Sequence, residues 1–159
     1  MAIHISDLFL KSKSTEAVYK GKKIYKFDYF DISQGDSFIF NIESTNSEWK
    51  QAIGFLVLEK SASVSCSGHK NNKGFNFWEH NAPRNFTVNI VKTKKRIRPK
   101  AAIYNMWEGP SGEYNYPDLS AAMKIEKLKD GSKRYYCNDG QDNDDFDDII
   151  FTVKHIKTK

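Results

Sequence analysis

Apolar residues recur at every second position through much of this chain, and that period admits strands and disfavours helices. Phe38, Phe40 and Ile42 alternate with Ile39, Asn41 and Glu43, and Phe86, Val88 and Ile90 alternate with Thr87 and Asn89. Ile3, Ile5, Asp7 and Phe9 alternate with His4, Ser6 and Leu8, although Leu8 breaks the clean phase. Ala52 to Leu58 is almost continuously apolar, which suits a strand covered on both faces. Ala101 to Met106 and Ile149 to Ile156 read as strands too. Aromatic residues make up 14% of the chain, and flat rings pack well on a pleated surface. Turn signals fall between the runs, at Lys20-Gly21, Gln34-Gly35-Asp36, Gly68 to Asn72, Gly109-Pro110, Asp130-Gly131 and Asp139-Gly140. Short strands punctuated in this way predict an all-β, mostly antiparallel sandwich of jelly-roll or Greek-key type. With 159 residues and no linker, a single domain over 1–159 is expected.

Residues 117–128 admit two readings. Asp118 or Ser120 could cap a helix, or the segment could be a strand entering a hairpin through Lys129-Asp130-Gly131-Ser132. Met1 to Leu10 lacks the basic n-region of a secretory signal, and no stretch approaches the ~20 apolar residues of a membrane span. The expectation is a cytoplasmic protein, one exported by a non-classical route, or a mature form. Cys66 and Cys137 cannot make a disulfide framework, and two buried free thiols suit a cytoplasmic setting.

Charge is unevenly spread. The net value is +5, yet residues 138–148 hold six Asp and no Lys or Arg, so +5 less −6 leaves +11 for the remainder. Six mutually repelling carboxylates destabilise a compact state unless something neutralises them. A divalent cation does so, and Ca²⁺ takes six to eight oxygen ligands, many of them carboxylates. The run is not an EF-hand, because no Gly stands five residues after Asp142 and a strand follows instead of a helix. The expected arrangement is a Ca²⁺ loop closing onto the last strand.

Asp139-Gly140, then Asn143-Asp144-Asp145-Phe146-Asp147-Asp148 before branched apolar residues, resembles the calcium loop of the soluble bacterial two-calcium lectins that bind fucose and mannose. The resemblance implies two adjacent Ca²⁺ ions whose coordination is completed by sugar hydroxyls. Counting back from Phe146, the family's ligand positions fall on Asp139, Asn143, Asp145, Asp147 and Asp148. Counting forward from Asp139-Gly140 makes Asp142 and Asp144 the matching pair, with one residue inserted. Phe77-Trp78-Glu79-His80-Asn81 resembles a run in the calcium-dependent cell-adhesion proteins of social amoebae, which implies a calcium-binding β-domain at a cell surface.

The expectation is therefore a non-enzymatic, calcium-dependent lectin whose partners are glycans or cell-surface glycoconjugates. One such site binds a neutral sugar modestly, so a homo-oligomer is expected to supply avidity. Asp144, Tyr114, Tyr116 and Trp107 are candidates for touching the sugar, the aromatics through their flat faces, although Trp in a domain is more often core. A calcium-stabilised adhesion or structural domain is the first alternative. Lys94, Lys95, Arg96 and Arg98 carry the second, an anionic polymer held by residues 92–100; the plain reading of that run is a solvated hairpin tip. No zinc-finger spacing or RNA-recognition signature accompanies it, which speaks against nucleic acid. No phosphate loop or nucleophile elbow is present. Cys66, His69 and His80 lack a fourth zinc ligand at suitable spacing.

Overall fold

The computed structural model describes residues 5–94, 99–109, 112, 114–115, 121–139 and 145–158. The chain opens with a helix, α1 (Ile5–Ser12), followed by β1 (Glu16–Tyr19), β2 (Lys22–Tyr25), β3 (Asp28–Asp31), β4 (Ser37–Thr45), β5 (Lys50–Val57), β6 (Ser63–Cys66) and β7 (His69–Asn71). It continues with β8 (Gly74–Trp78), β9 (Asn85–Lys92), β10 (Lys100–Glu108), β11 (Tyr114–Asn115), β12 (Ala122–Lys127), β13 (Lys133–Asn138) and β14 (Ile149–Ile156).

Two antiparallel sheets form. The larger runs β1-β2-β12-β13-β14-β4-β9-β6-β7, and the smaller runs β11-β10-β5-β8, with β3 also paired to β10. Their inner faces share one core. The alternation predicts the inward set: Phe38 and Phe40 are fully buried and Ile42 nearly so, as are Val88 and Ile90. Rings close the gap between the sheets, with Phe38 5.0 Å from Phe55 and Phe77 4.0 Å from Phe86. Each buried aromatic or aliphatic side chain of this size contributes about 1.5–3 kcal/mol. Cys66 and Cys137 are free thiols inside this core.

The nearly continuous apolar run of β5 is covered on both faces, as expected, and so is that of β10. Ala52, Tyr104 and Met106 pack on the outer side under Phe27, Leu56 and Trp78. Gly54 faces Tyr104 across the ladder, and a Cβ there would lie 2.3 Å from the tyrosine ring. The missing side chain lets the ring lie flat on the strand.

One local reading changes, and one left open is decided. The residues 3–9 pattern reads as a strand, but Ile5 to Ser12 is helical. Ile5 and Phe9 stand four apart and are buried, with Leu8 beside them, so the stripe has helical period. Leu8, which breaks the two-residue phase, belongs to the helix. Asp7 in the first turn and Lys11 in the last favour the helix dipole. Ile5 and Phe9 join Tyr19, Ile24, Ala122 and Phe146 in a second, smaller core. In the ambiguous 117–128 segment, 122–127 is strand β12, joined to β13 by a hairpin with Gly131 at φ +87°; residues 117–120 lie outside the described set. No described helix is long and apolar enough to cross a membrane.

One end of the sandwich is closed by a buried aspartate. Asp36, just before β4, is 2% exposed. Its carboxylate accepts from the Ser33 and Thr158 amides at 3.0 and 2.9 Å, with the Thr158 hydroxyl at 2.9 Å and His155 Nε2 at 2.9 Å. The His155 ring stacks on Phe38 with centroids 4.2 Å apart.

Candidate metal centre

The acidic segment joins β13 to β14 at the opposite end of the same strands. Cys137 and Ile149 are the last ladder pair, and the Asp148 amide donates to the Cys137 carbonyl at 3.1 Å. The two ends of the segment are tied to each other: the Asp139 amide donates to Asp148 Oδ2 at 2.8 Å. Asp139 and Asp148 are 0% and 1% exposed.

The β4–β5 connection ties down the other side. The Asn46 amide donates to the Asp148 carbonyl at 3.1 Å, and Asn46 Nδ2 donates to Asp147 Oδ2 at 2.9 Å. Ser47 Oγ donates to Asp139 Oδ2 at 2.7 Å. Beneath the loop, the apolar core gives way to amides. Gln51 Nε2 donates to Asp139 Oδ2 at 3.0 Å and to the Trp49 carbonyl at 3.1 Å, and Asn105 Nδ2 donates to the Asn138 carbonyl at 3.0 Å. Both amide nitrogens face acceptors, which fixes the orientation of both groups. Their oxygens, Gln51 Oε1 and Asn105 Oδ1, are buried and meet no donor among the described residues; neither does Asp147 Oδ1. A buried acceptor left unpaired costs about 1–3 kcal/mol.

Three carboxylates converge above this floor. One oxygen each from Asp145, Asp147 and Asp148 lies within 4.8 Å of the others. Phe146 makes this possible. It has φ +54°, the left-handed region, so the chain reverses between Asp145 and Asp147. That conformation costs a bulky residue on the order of 1 kcal/mol. Burial of the ring offsets the cost: Phe146 is 3% exposed, packs 6.2 Å from Tyr19, and has Lys124 Nζ 4.2 Å above its face.

The electrostatics are unfavourable to bare carboxylates. Burial raises the Asp148 carboxyl first, and the charges of Asp139, Asp145 and Asp147 add to it against one opposing bond from the Asp139 amide; the outcome is about 7. Burial and then Asp147 raise Asp145 as well. Clustered carboxylates whose protons bind too tightly are relieved by a cation. Two oxygens across one Ca²⁺ are separated by about 5 Å, twice the usual Ca–O distance. The three-carboxylate spread is compatible with one such ion, and the chemistry of the donors is that of a hard cation.

Of the residues singled out in the sequence, the structure brings together Asp145, Asp147 and Asp148. Asp139 stands outside that group of three and below it, bonded to Ser47 and Gln51. Asp142, Asn143, Asp144 and Tyr116 lie outside the described residues, as do Lys95, Arg96 and Arg98. Tyr114 begins β11, and its side chain is not among those described. Lys94 is exposed just past β9. Trp107 is 1% exposed, so its ring belongs to the core and offers no face to a sugar, because it follows Asn105 on the inward side of β10. The sequence reading missed Asn46, Ser47, Gln51 and Asn105. Gln51 and Asn105 did carry a signal, a polar residue in or bordering an otherwise apolar strand; buried polar groups of that kind are the informative exceptions. Asn46 and Ser47 look like any turn residues. No protein-family model, curated protein or solved structure matches this chain.

Proposed function

We propose that the chain is a non-enzymatic, calcium-dependent carbohydrate-binding protein. The observation that supports it most is the convergence of Asp145, Asp147 and Asp148, with Asp147 Oδ1 buried and met by no donor among the described residues. In this reading Asp145, Asp147 and Asp148 supply carboxylate oxygens to Ca²⁺, Asp142 and Asn143 complete the protein ligands, and Asp139 holds Asp148 from below. Vicinal sugar hydroxyls replace the remaining waters of the ion, and Asp144 accepts from the sugar. Calcium thus supplies both the neutralising charge and the open coordination positions. The likeness of the loop to the two-calcium lectins supports the same reading, and homo-oligomerisation would multiply a modest single-site affinity. A Greek-key or jelly-roll wiring belongs to the proposal as well. Its support is that the chain changes sheet between β4 and β5, β5 and β6, β7 and β8, β8 and β9, and β9 and β10, while β6 and β7 stay paired in the larger sheet.

A structural calcium in an adhesion domain is the second reading. It is favoured by Asn46 and Ser47, which tie a second connection to the acidic loop, so that an ion would stiffen both. Melting with Ca²⁺ against EDTA tests the ion itself. At a hundredfold excess over Kd, Ca²⁺ should add about 2.7 kcal/mol, and Asp145→Ala should remove that gain. Identical melting in both buffers would sink the proposal. A glycan array with and without chelator separates the two readings: chelator-sensitive glycan signal is expected, and its absence across all sugars leaves only the structural ion.

A further inference from the structure

We propose that the groove flanking the acidic loop binds an acidic saccharide, one bearing uronate or sulfate groups; the inference rests on the calcium-dependent carbohydrate reading and narrows it. The groove encloses about 610 Å³, within the range of small-molecule sites. Lys22, Lys23 and Tyr25 of β2 form one wall, Lys124 of β12 and Tyr136 of β13 the other, and Asp145 of the candidate metal centre stands at its edge. A ligand lying in it meets the lysines and, at Asp145, the border of the candidate metal centre.

The charge balance of this groove selects the ligand class. Among the described residues that line it, the two acids are Glu126 and Asp145. Glu126 is already engaged, accepting from Arg134 Nη1 at 3.1 Å and from the Tyr136 hydroxyl at 3.0 Å. Asp145 is committed to the cation. Lys22 and Lys23 are exposed and make no ion pair among the described residues. Lys124 spans the floor over the Phe146 ring. With Ca²⁺ bound, the described lining is net positive, with two partly exposed tyrosine rings suited to sugar faces. Carboxylate oxygens and sugar hydroxyls are both hard calcium ligands, so a uronate satisfies ion and lysines at once, whereas a neutral sugar satisfies only the ion. Ammonium groups beside a bound anion also steer its approach. Lys92, Lys94 and Lys100, the described basic residues of the 92–100 run, do not line this groove.

The test is isothermal titration of the full chain with an oligogalacturonate, a neutral oligosaccharide of equal length and a single-stranded oligonucleotide of equal charge, each in Ca²⁺ and in EDTA. The oligogalacturonate should bind in Ca²⁺ about tenfold or more tightly than the other two. The double variant Lys22→Glu with Lys23→Glu should lose that advantage while keeping the calcium-induced rise in melting temperature, which also reports that it folds. Equal affinity for neutral and acidic saccharides would overturn the inference and leave the lectin reading standing. Oligonucleotide binding that equals the saccharide and ignores EDTA would overturn it in favour of plain polyanion attraction. No calcium-induced rise in the unmodified chain would overturn both.

Discussion

Strands β4 and β14 run side by side through the whole sandwich, and each end of the pair buries one aspartate. Asp36 is 2% exposed and Asp148 is 1% exposed, so burial alone pushes both carboxyls upward. They end on opposite sides of the ordinary value. At Asp36, burial is outweighed by the Thr158 amide, His155, the Ser33 amide and the Thr158 hydroxyl, and the carboxyl is held below the usual range. At Asp148 one backbone amide faces burial and three neighbouring carboxylates, and the carboxyl sits near 7. Partners, and not depth, decide the sign. One end is a carboxylate met by four hydrogen-bond donors, which closes the fold; the other is a cluster of carboxylates that a cation would complete in the function proposed above.

The same substitution at the two ends should therefore act in opposite senses. Asp36→Asn places an amide nitrogen among four donors, so it should cost on the order of 3 kcal/mol in EDTA and in Ca²⁺ alike. Asp148→Asn keeps an oxygen for the Asp139 amide and removes a buried charge, so in EDTA it should be neutral or stabilising by about 1 kcal/mol. Its signature is the loss of the calcium response. Chemical denaturation of both variants in both buffers measures this, and equal losses in EDTA would break the contrast.

Acidity sharpens it further. A carboxyl raised in the folded state binds its proton more tightly there than when unfolded, so its contribution is largest at low pH and is lost as pH rises. For Asp148 that window runs from the ordinary aspartate value of 3.8 to about 7. Asp36 has the reverse sign: its contribution is present above 3.8 and lost as pH falls through its lowered value. In EDTA, stability should fall on the order of 2 kcal/mol between pH 4 and 7. Saturating Ca²⁺ should flatten or reverse that slope, because the bound ion holds the carboxylates ionised. An EDTA profile that rises across the window would remove Asp148 as the frustrated group.

The difference between the two ends also explains what could be read from the sequence. Six aspartates in one short run are visible without a structure, and so is the phase of Phe38, Phe40 and Ile42, because both signals are local. The Asp36 pairing was invisible: His155 and Thr158 lie more than a hundred residues away, and nothing in their spacing links them to Gln34-Gly35-Asp36. Short strands with little apolar content, such as β2 (Lys22–Tyr25) and β7 (His69–Asn71), carry no period to read. The helix over Ile5–Ser12 was misread because its apolar stripe, sampled over so few residues, also fits a two-residue alternation. Gln51 and Asn105 were legible as oddities in their strands, but only the packing of the smaller sheet on the larger puts them under Asp139 and Asn138.

Asn46 offers the smallest and most specific test of the unfinished end. Its side chain donates one bond, to Asp147 Oδ2, while its backbone amide holds the Asp148 carbonyl independently. Asn46→Ala thus removes a single charge-assisted donor and leaves the loop anchored, which should cost about 1 kcal/mol in EDTA. Asp147 would then be free to turn both oxygens toward the ion, but it would also have to be ordered by the ion alone. Positioning should win, since Phe146 already fixes the backbone on one side of Asp147 and Asn46 is what fixes the carboxylate. Calcium affinity measured by titration should therefore drop about three- to tenfold without vanishing, whereas Asp147→Ala should abolish it. Tighter calcium binding by Asn46→Ala would mean that Asn46 competes with the ion for Asp147, and that this end of the sandwich is nearer to completion than its acidity implies.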